Sequence, residues 1–190
     1  MTTHKQRKSL RLKHWDYKTA GLYFVTICIN NRENLFGEIK NDKMSLNDPG
    51  LMINEQWLAI FTRFQNIKPN KYVIMPNHFH AIIEVINNKP VGAPLVGASL
   101  NAKQALVNNN PEPTLGEIIG AFKSITTNKY INGVKHFNWP EFDRKLWQRN
   151  FYEHAIRNDD SLFKISEYIE TNPLNWELDL LHPNNPKVSP

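Results

Sequence analysis

The hydrophobic pattern of the chain predicts extended segments in four places. The stretch GLYFVTICIN, residues 21–30, is crowded with β-branched and aromatic residues and is followed by Asn-Arg, which predicts a strand. Residues 35–48 predict a second strand or a hairpin around Asn41-Asp42. Further extended segments are predicted in 71–87 and at the start of 145–156. The chain is therefore expected to contain a sheet.

Three other segments repeat apolar residues every three or four positions, as one face of a helix does. The first opens at Asp48, which we interpret as an N-cap followed by a proline at the first helical position. The second opens at Thr114 with the capping-box sequence TLGE, and the third covers 158–173 and ends at Pro173. The apolar positions are Ile53, Trp57, Phe61 and Phe64 in the first, Leu115, Ile118, Phe122 and Ile125 in the second, and Leu162, Ile165 and Ile169 in the third. Strands and helices alternate with hairpin-like connections, which predicts an α+β fold: a largely antiparallel sheet covered by helices.

Length and composition are those of one ordinary globular domain. The chain has 190 residues, of which 41% are hydrophobic and 22% charged, enough for one well-packed core. No apolar run approaches the roughly 18 residues of a membrane span, and no apolar stretch follows the basic N-terminus as in a secretion signal. We therefore expect an unexported, soluble protein with no membrane partner. The single cysteine, Cys28, excludes a disulfide framework or a thiolate metal cage.

Charge divides the chain into an arm and a body. The 23 Lys and Arg exceed the 18 Asp and Glu by five. The arm, residues 1–18, accounts for this excess through Lys5, Arg7, Lys8, Arg11 and Lys13. Such an arm can bind phosphate backbones, or it can be a solvated tail. The single domain is expected at 19–180, with a flexible insertion rich in proline and asparagine at about 88–113 and a C-terminal tail at 181–190.

Two histidines lie at the start of a predicted strand, directly after Pro76-Asn77. His78 and His80 alternate with Phe79, so both imidazoles face the same side. A rise of roughly 3.3 Å per residue separates their Cβ atoms by about 6.5–7 Å, which suits two ligands of one metal ion. A His-x-His pair in a strand also occurs as ordinary structural or surface histidines. The pattern alone leaves both interpretations open.

The last predicted helix carries a tyrosine and an asparagine at one border of its apolar stripe. Tyr168 and Asn172 are four residues apart and are therefore neighbours on the helix surface. They can face a cleft against the sheet while the apolar stripe anchors the helix. They can equally be a half-buried tyrosine and an asparagine that closes a helix before Pro173.

Three segments, in this order, resemble the single-tyrosine HUH transposases, and among them the REP-associated tyrosine transposases. YVIMPNHFHAIIEV is similar to the family's Pro-x-His-hydrophobic-His strand, LWQRNFYEHAIRNDD to its segment containing Trp-Gln and Glu-His, and EYIETNPLNW to its Tyr-Ile-x-x-Asn-Pro helix end. With the opening strand YFVTICINNR, the resemblance covers most of residues 10–178. It implies a ferredoxin-like HUH nuclease fold, from which the 88–113 insertion departs.

The resemblance also implies a metal-dependent transposase that cleaves and rejoins single-stranded DNA. Tyr168 would be the nucleophile that forms a 5′-phosphotyrosine. His78 and His80 would bind a divalent metal, and Asn172, where many relatives carry glutamine, would be the third ligand. Such ligands fit Mg²⁺ or Mn²⁺, and their types also fit Zn²⁺. The implied substrate is single-stranded DNA with palindromic hairpins. The resemblance further implies a cytoplasmic protein that acts on chromosomal DNA as a monomer or homodimer.

Further residues are candidates for roles around this site. Tyr152 is a rival nucleophile, and His154 could orient a phosphate or a metal ligand, or be a structural histidine. Trp147 is a candidate for an exposed aromatic that stacks on unpaired bases. The residues expected to contact DNA are those of the basic arm together with Lys123, Lys129 and Arg149.

Two alternatives use the same residues differently. In a metal-dependent hydrolase, water would be the nucleophile and Tyr168 would be dispensable. In a non-catalytic DNA-hairpin-binding protein, the metal ligands would survive only for stability. A covalent protein–DNA adduct is expected only for the tyrosine enzyme.

Overall fold

The computed structural model describes residues 20–86 and 112–185. The basic arm and all of the predicted insertion except residues 112 and 113 lie outside the described residues. The strands and helices are β1 (Gly21–Cys28), β2 (Gly37–Lys40), β3 (Lys43–Leu46), α1 (Asp48–Arg63), β4 (Ile67–Ile74), β5 (His78–Val85), α2 (Leu115–Phe137), β6 (Tyr152–Ile156) and α3 (Asp159–Thr171). Short 3₁₀ turns cover Asn30–Arg32 and Trp176–Leu178. None of the helices in these two ranges is long and apolar enough to cross a membrane.

Four strands form one antiparallel sheet in the order β4-β5-β1-β6, and β2 and β3 form a separate hairpin. Helices α1 and α2 pack on one face of the sheet, and α3 packs on the other. The predicted α+β fold, a largely antiparallel sheet covered by helices, is confirmed. Apart from the hairpin and the additional helix α3, the elements follow the β-α-β-β-α-β order of the ferredoxin-like arrangement.

The larger core lies between the sheet and helices α1 and α2. Phe79 of β5 packs there against Trp57 and Phe122, with ring centroids 4.6 and 5.8 Å away. Burying a side chain of this kind stabilises the fold by about 1.5–3 kcal/mol. The alternate side chains of β1 and β5 face α3, where the apolar cluster is smaller and consists of Phe24, Ile82 and Ile169. The α3 face therefore has room for polar groups at its end.

Two local turn predictions are confirmed. Asn41 and Asp42 have φ angles of 51° and 60°, as in the two-residue turns that join antiparallel strands. At the start of α2, the Thr114 hydroxyl accepts the Glu117 N–H at 3.2 Å, and the Glu117 carboxylate accepts the Thr114 N–H at 2.7 Å. Both features are set by residues no more than three positions apart in the sequence.

The predicted N-cap of α1 is wrong by one residue. Asn47, not Asp48, caps the helix, because its side chain accepts the N–H of Gly50 at 3.0 Å. Asn47 has an extended backbone, from which a carboxamide can reach back over the first turn. Asp48 is instead the first helical residue, where its negative charge favours the helix N-terminus.

The prediction that Trp147 is exposed for base stacking is wrong. Only 4% of its surface is exposed, and its ring packs against Phe36 and Phe122 at centroid distances of 5.3 and 6.1 Å. Its indole N–H donates to the hydroxyl of Thr126 at 2.9 Å. A bridge between Ile29 and Trp147 draws this segment onto the end of β1 and into the core.

Thr126→Val is expected to lower the free energy of unfolding by about 1–3 kcal/mol, because the buried Trp147 N–H loses its acceptor. Urea unfolding measures the change. Thr127→Val is the matched control. The Thr127 hydroxyl also donates to a carbonyl of its own helix, that of Lys123 at 2.7 Å, but it does not accept the indole N–H of Trp147. Equal losses in the two variants would contradict this role for Thr126.

Candidate active site

The two histidines lie side by side at the start of β5, on the α3 face of the sheet. Both are buried, and their ring centroids are 4.5 Å apart. They share one face because side chains alternate along a strand, as predicted from the His-x-His spacing. The central strands β5 and β1 hold them, with Cys28 opposite His78 and Thr26 opposite His80.

Hydrogen bonds fix which nitrogen of His78 carries the proton. The Asn77 amide N–H₂ donates to the carbonyls of Arg32 and Leu181, at 3.2 and 2.9 Å, so the Asn77 Oδ1 must be an acceptor. His78 Nδ1 therefore donates to it at 2.8 Å. The other nitrogen, Nε2, is left with a buried lone pair and no hydrogen-bond partner among the described residues. That lone pair is available to a cation.

Asp179 completes the site, and it was missed by the sequence analysis. Its buried carboxylate lies 3.9 Å from His78 Nε2, and ligand atoms of His78, His80 and Asp179 all lie within 4.8 Å of one another. A lone pair facing a carboxylate oxygen is repulsive unless positive charge lies between them. The one sequence signal was an acid shortly after the Asn-Pro helix end, and only the 3₁₀ turn at Trp176–Leu178 brings it back to the histidines.

Asn172, the predicted third ligand, is buried beside Asp179. Its amide N–H₂ donates to Asp179 Oδ2 at 3.0 Å, and its Oδ1 has no hydrogen-bond partner among the described residues. The site thus contains two unpartnered acceptors, Asn172 Oδ1 and His78 Nε2, around one carboxylate. Two imidazoles, a carboxylate and a carboxamide oxygen form a donor set that fits Mg²⁺, Mn²⁺ or Zn²⁺.

Burial keeps both imidazoles neutral, as metal ligation requires. Desolvation lowers the pKa of His78 to about 3. Desolvation, followed by the neighbouring His78, also holds the pKa of His80 well below its ordinary value, with Asp179 acting in the opposite direction. Both side chains can therefore bind a cation at neutral pH without first losing a proton.

The same pKa shifts predict acid sensitivity of the metal-free protein. An unfolded histidine takes up a proton near pH 6.5, whereas His78 stays neutral in the fold down to about pH 3. The unfolded state then binds more protons, so the free energy of unfolding falls as pH falls below about 6.5, by up to about 1.4 kcal/mol per pH unit for each such group.

Urea unfolding in chelator between pH 7 and pH 5 checks this expectation. His78→Asn should make the pH dependence less steep, because it removes one of the two buried imidazoles, while Ile82→Val, a buried change in the same strand without a titratable group, should leave the slope as in the wild type. An equally steep dependence in His78→Asn would contradict the account of His78.

Tyr168 brings a hydroxyl to the histidine pair from α3. Its oxygen lies 3.2 Å from His80 Nε2, while His80 Nδ1 lies 2.8 Å from the hydroxyl of Thr26. The ring packs edge-on to Phe24, and 43% of the residue is exposed. Burial, and then the charge of Asp179, raise the pKa of Tyr168 to about 12. The phenol is therefore protonated at neutral pH and needs help to become a nucleophile.

A cleft of about 730 Å³ opens over this cluster. His80, Tyr168, Asn172 and Asp179 lie in its lining, together with Tyr152, the predicted rival nucleophile. Tyr168 is hydrogen-bonded to His80, whereas the ring of Tyr152 contacts Phe24 edge-on at a centroid distance of 6.3 Å. His154 lies elsewhere, exposed in a depression shared with Ala155, Arg157, Asn158 and Ser161.

Two of the predicted DNA-contacting residues of the body, Lys123 and Arg149, lie next to this cleft. The ammonium of Lys123 donates to the carbonyls of Gln148 and Arg149 at 2.6 and 3.2 Å, and burial lowers its pKa to about 8. Lys123 thereby holds the segment around Gln148, which lines both the cleft and a second groove of about 390 Å³. Arg149 lines this groove with Arg144 and Lys145. Lys129 is exposed on α2, and the basic residues of the arm lie outside the described residues.

No protein-family model matches the chain. An uncharacterized protein of Haemophilus influenzae is 40% identical over 176 residues, which cover 93% of both chains. Among solved structures, a REP-associated tyrosine transposase bound to a REP hairpin is similar with a TM-score of 0.55 and 17% identity, over 87% of this chain and 74% of that one. A candidate transposase from Deinococcus radiodurans gives a TM-score of 0.47 and 12% identity, over 84% of this chain and 95% of that one. The similarity to the REP-associated transposase shows a shared fold.

Proposed function

Because the chain belongs to the same family as the uncharacterized Haemophilus influenzae protein and has the fold of a REP-associated tyrosine transposase, we propose that it cleaves and rejoins single-stranded DNA. The observation that carries the proposal is the Tyr168 hydroxyl, 3.2 Å from His80 within a buried His-His-Asp cluster. Such an arrangement places a nucleophile beside ligands for a divalent cation. The substrate we infer is DNA with palindromic hairpins.

In the proposed first step, the Tyr168 oxygen attacks the phosphorus of one DNA linkage. A bond forms between the tyrosine oxygen and phosphorus, and the bond from phosphorus to the 3′ oxygen breaks. The phenol gives up its proton, and the departing strand gains one as a 3′-OH. The product is a 5′-phosphotyrosine. The reaction reverses when a 3′-OH of another strand attacks the same phosphorus, which releases Tyr168 and joins the two strands.

The site residues have separate tasks in this step. The cation would be held by His78, His80, Asp179 and Asn172. When bound, it supplies positive charge next to the phosphate and offsets the negative charge of Asp179. Thr26 and Asn77 orient the two imidazoles through their Nδ1 atoms, at 2.8 Å in each case. The apolar contacts of α3 with the sheet hold Tyr168 against His80.

Positive charge beside the cleft supports DNA as the substrate. Arg144, Lys145 and Arg149 line the adjoining groove, where they can bind phosphates of the strand that enters the cleft. Lys123 contributes by holding the segment around Gln148, and Lys129 and the basic arm provide further positive charge. Binding through such contacts weakens as salt is added.

The test is covalent capture of DNA. Purified protein is incubated with Mn²⁺ or Mg²⁺ and a 3′-labelled oligonucleotide that contains a palindromic hairpin and a single-stranded extension, and the products are separated on a denaturing gel. The proposal predicts a labelled protein band that requires metal and disappears in chelator. Cleavage without that band indicates the water-using hydrolase, and a shift on a native gel alone indicates a non-catalytic hairpin-binding protein. Either result overturns the proposal.

A further inference from the structure

Tyr152 is a prominent side chain of the cleft that has no role in the proposed reaction. Tyr152 lies on the edge strand β6, opposite Thr26, and 48% of it is exposed. Its ring meets Phe24 edge-on at 6.3 Å, and Tyr168 meets the same Phe24 at 6.2 Å. Phe24 thus holds the two tyrosine rings in one cleft, so a group bound at Tyr168 brings its neighbours close to Tyr152.

Apart from the metal ligands, the lining of the cleft is largely apolar. Phe24, which contacts Tyr152, and Phe151 contribute to it, and so do Leu178, Leu180 and Leu181, which lie next to Asp179 in the sequence. Leu178 and Leu180 are 80% and 60% exposed, so they are available to an incoming apolar face. Among the described residues, the lining contains no lysine or arginine. The metal ligands and the neighbouring basic groove therefore suit phosphates, and the apolar part of the cleft lining, together with the ring of Tyr152, suits an uncharged group.

Carboxamides complete the lining. Gln148, Asn150 and Asn175 bring amide groups, which can both donate and accept hydrogen bonds. An uncharged, flat group with apolar faces and a polar edge matches such a mixture, and a nucleobase has this form. The volume of about 730 Å³ lies within the roughly 300–1,000 Å³ of typical small-molecule sites, so one base fits beside the reacting phosphate.

We propose that this part of the cleft binds an unpaired nucleobase next to the scissile phosphate, with the ring of Tyr152 as its stacking platform. The inference rests on the proposed function, because the strand must lie across the metal ligands. Stacking on an aromatic ring tolerates any base, so Tyr152 would strengthen binding of the unpaired strand without selecting its sequence. Tyr152 would then bind the substrate and would not be a second nucleophile.

The test separates the ring of Tyr152 from its hydroxyl and binding from catalysis. All variants carry Tyr168→Phe, so that no reaction occurs, and the affinity for a fluorescent hairpin oligonucleotide with a single-stranded extension is measured by anisotropy in Mg²⁺. Adding Tyr152→Phe should keep the affinity, because the ring remains. Adding Tyr152→Leu should weaken it by about 5- to 150-fold, the loss of one stacked base. Thermal melting confirms that each variant is folded.

Abasic substitutions in the oligonucleotide locate the base. In the parent protein, one position of the extension should lose affinity by a similar factor when its base is removed, and this loss should vanish in the Tyr152→Leu background. Undiminished affinity of Tyr152→Leu, equal losses in Tyr152→Phe and Tyr152→Leu, or an abasic effect independent of Tyr152 would each overturn the inference. Failure of the proposed catalysis shows separately, as the absence of an adduct when Tyr168 is intact.

Discussion

Tyr168→Phe is expected to abolish the covalent DNA adduct and to slow strand cleavage by more than about 10³-fold, as loss of a nucleophile does in enzymes that form covalent intermediates. The substitution removes one oxygen and keeps the ring, so the packing against Phe24 and His80 is retained. Hairpin affinity and the unfolding midpoint should therefore stay close to those of the wild type. Denaturing gels with labelled oligonucleotide, quantified over time, measure the loss.

Tyr152→Phe is the matched control, because Tyr152 lines the same cleft and also packs against Phe24. It should still form the adduct. The opposite pattern, an adduct lost in Tyr152→Phe and kept in Tyr168→Phe, would transfer the role of nucleophile to Tyr152. Persistence of cleavage in Tyr168→Phe without any adduct would instead favour hydrolysis by water.

Asp179→Asn is expected to lower Mn²⁺ affinity by more than about 100-fold and to remove metal-dependent cleavage. The variant loses the one negative charge of the ligand cluster. In addition, the new carboxamide can turn an N–H toward the unpartnered Nε2 of His78 and occupy the lone pair that the cation needs. Loss of a group that merely supports a metal ligand typically costs about 10- to 100-fold, so a direct ligand should cost more. Isothermal titration with Mn²⁺ measures the affinity.

Two further variants sharpen this experiment. Asp143→Asn removes an exposed acid far along the chain from the cluster and should leave Mn²⁺ affinity as in the wild type. Asn172→Ala should weaken Mn²⁺ binding less than Asp179→Asn, because a carboxamide oxygen carries no net charge. Wild-type affinity in Asp179→Asn would remove Asp179 from the ligand set and leave the predicted ligands His78, His80 and Asn172.

Much of the fold and half of the cluster follow from signals that are local in sequence. The Asn41-Asp42 turn, the Thr114 capping box and the shared face of His78 and His80 each depend on residues at most a few positions apart. Backbone preferences and side-chain alternation act over this range, so a sequence displays them directly.

The features that escaped prediction depend on contacts between distant segments. Asp179 reaches His78 only because the chain turns back after α3, an encounter across 101 positions that no spacing rule describes. Trp147 is buried because Thr126, 21 residues earlier, accepts its N–H and because β1 bridges its backbone. From the sequence alone, an exposed Trp147 was as reasonable an expectation as a buried one.

The identity of the residue bonded to DNA tests the central claim most directly. The adduct formed by wild-type protein with Mn²⁺ and a short hairpin oligonucleotide can be digested with nuclease and protease, and the modified peptide sequenced by mass spectrometry. The account predicts a nucleotide joined through phosphate to Tyr168. A nucleotide on Tyr152 or any other residue, or DNA cleaved with no modified peptide, would contradict it.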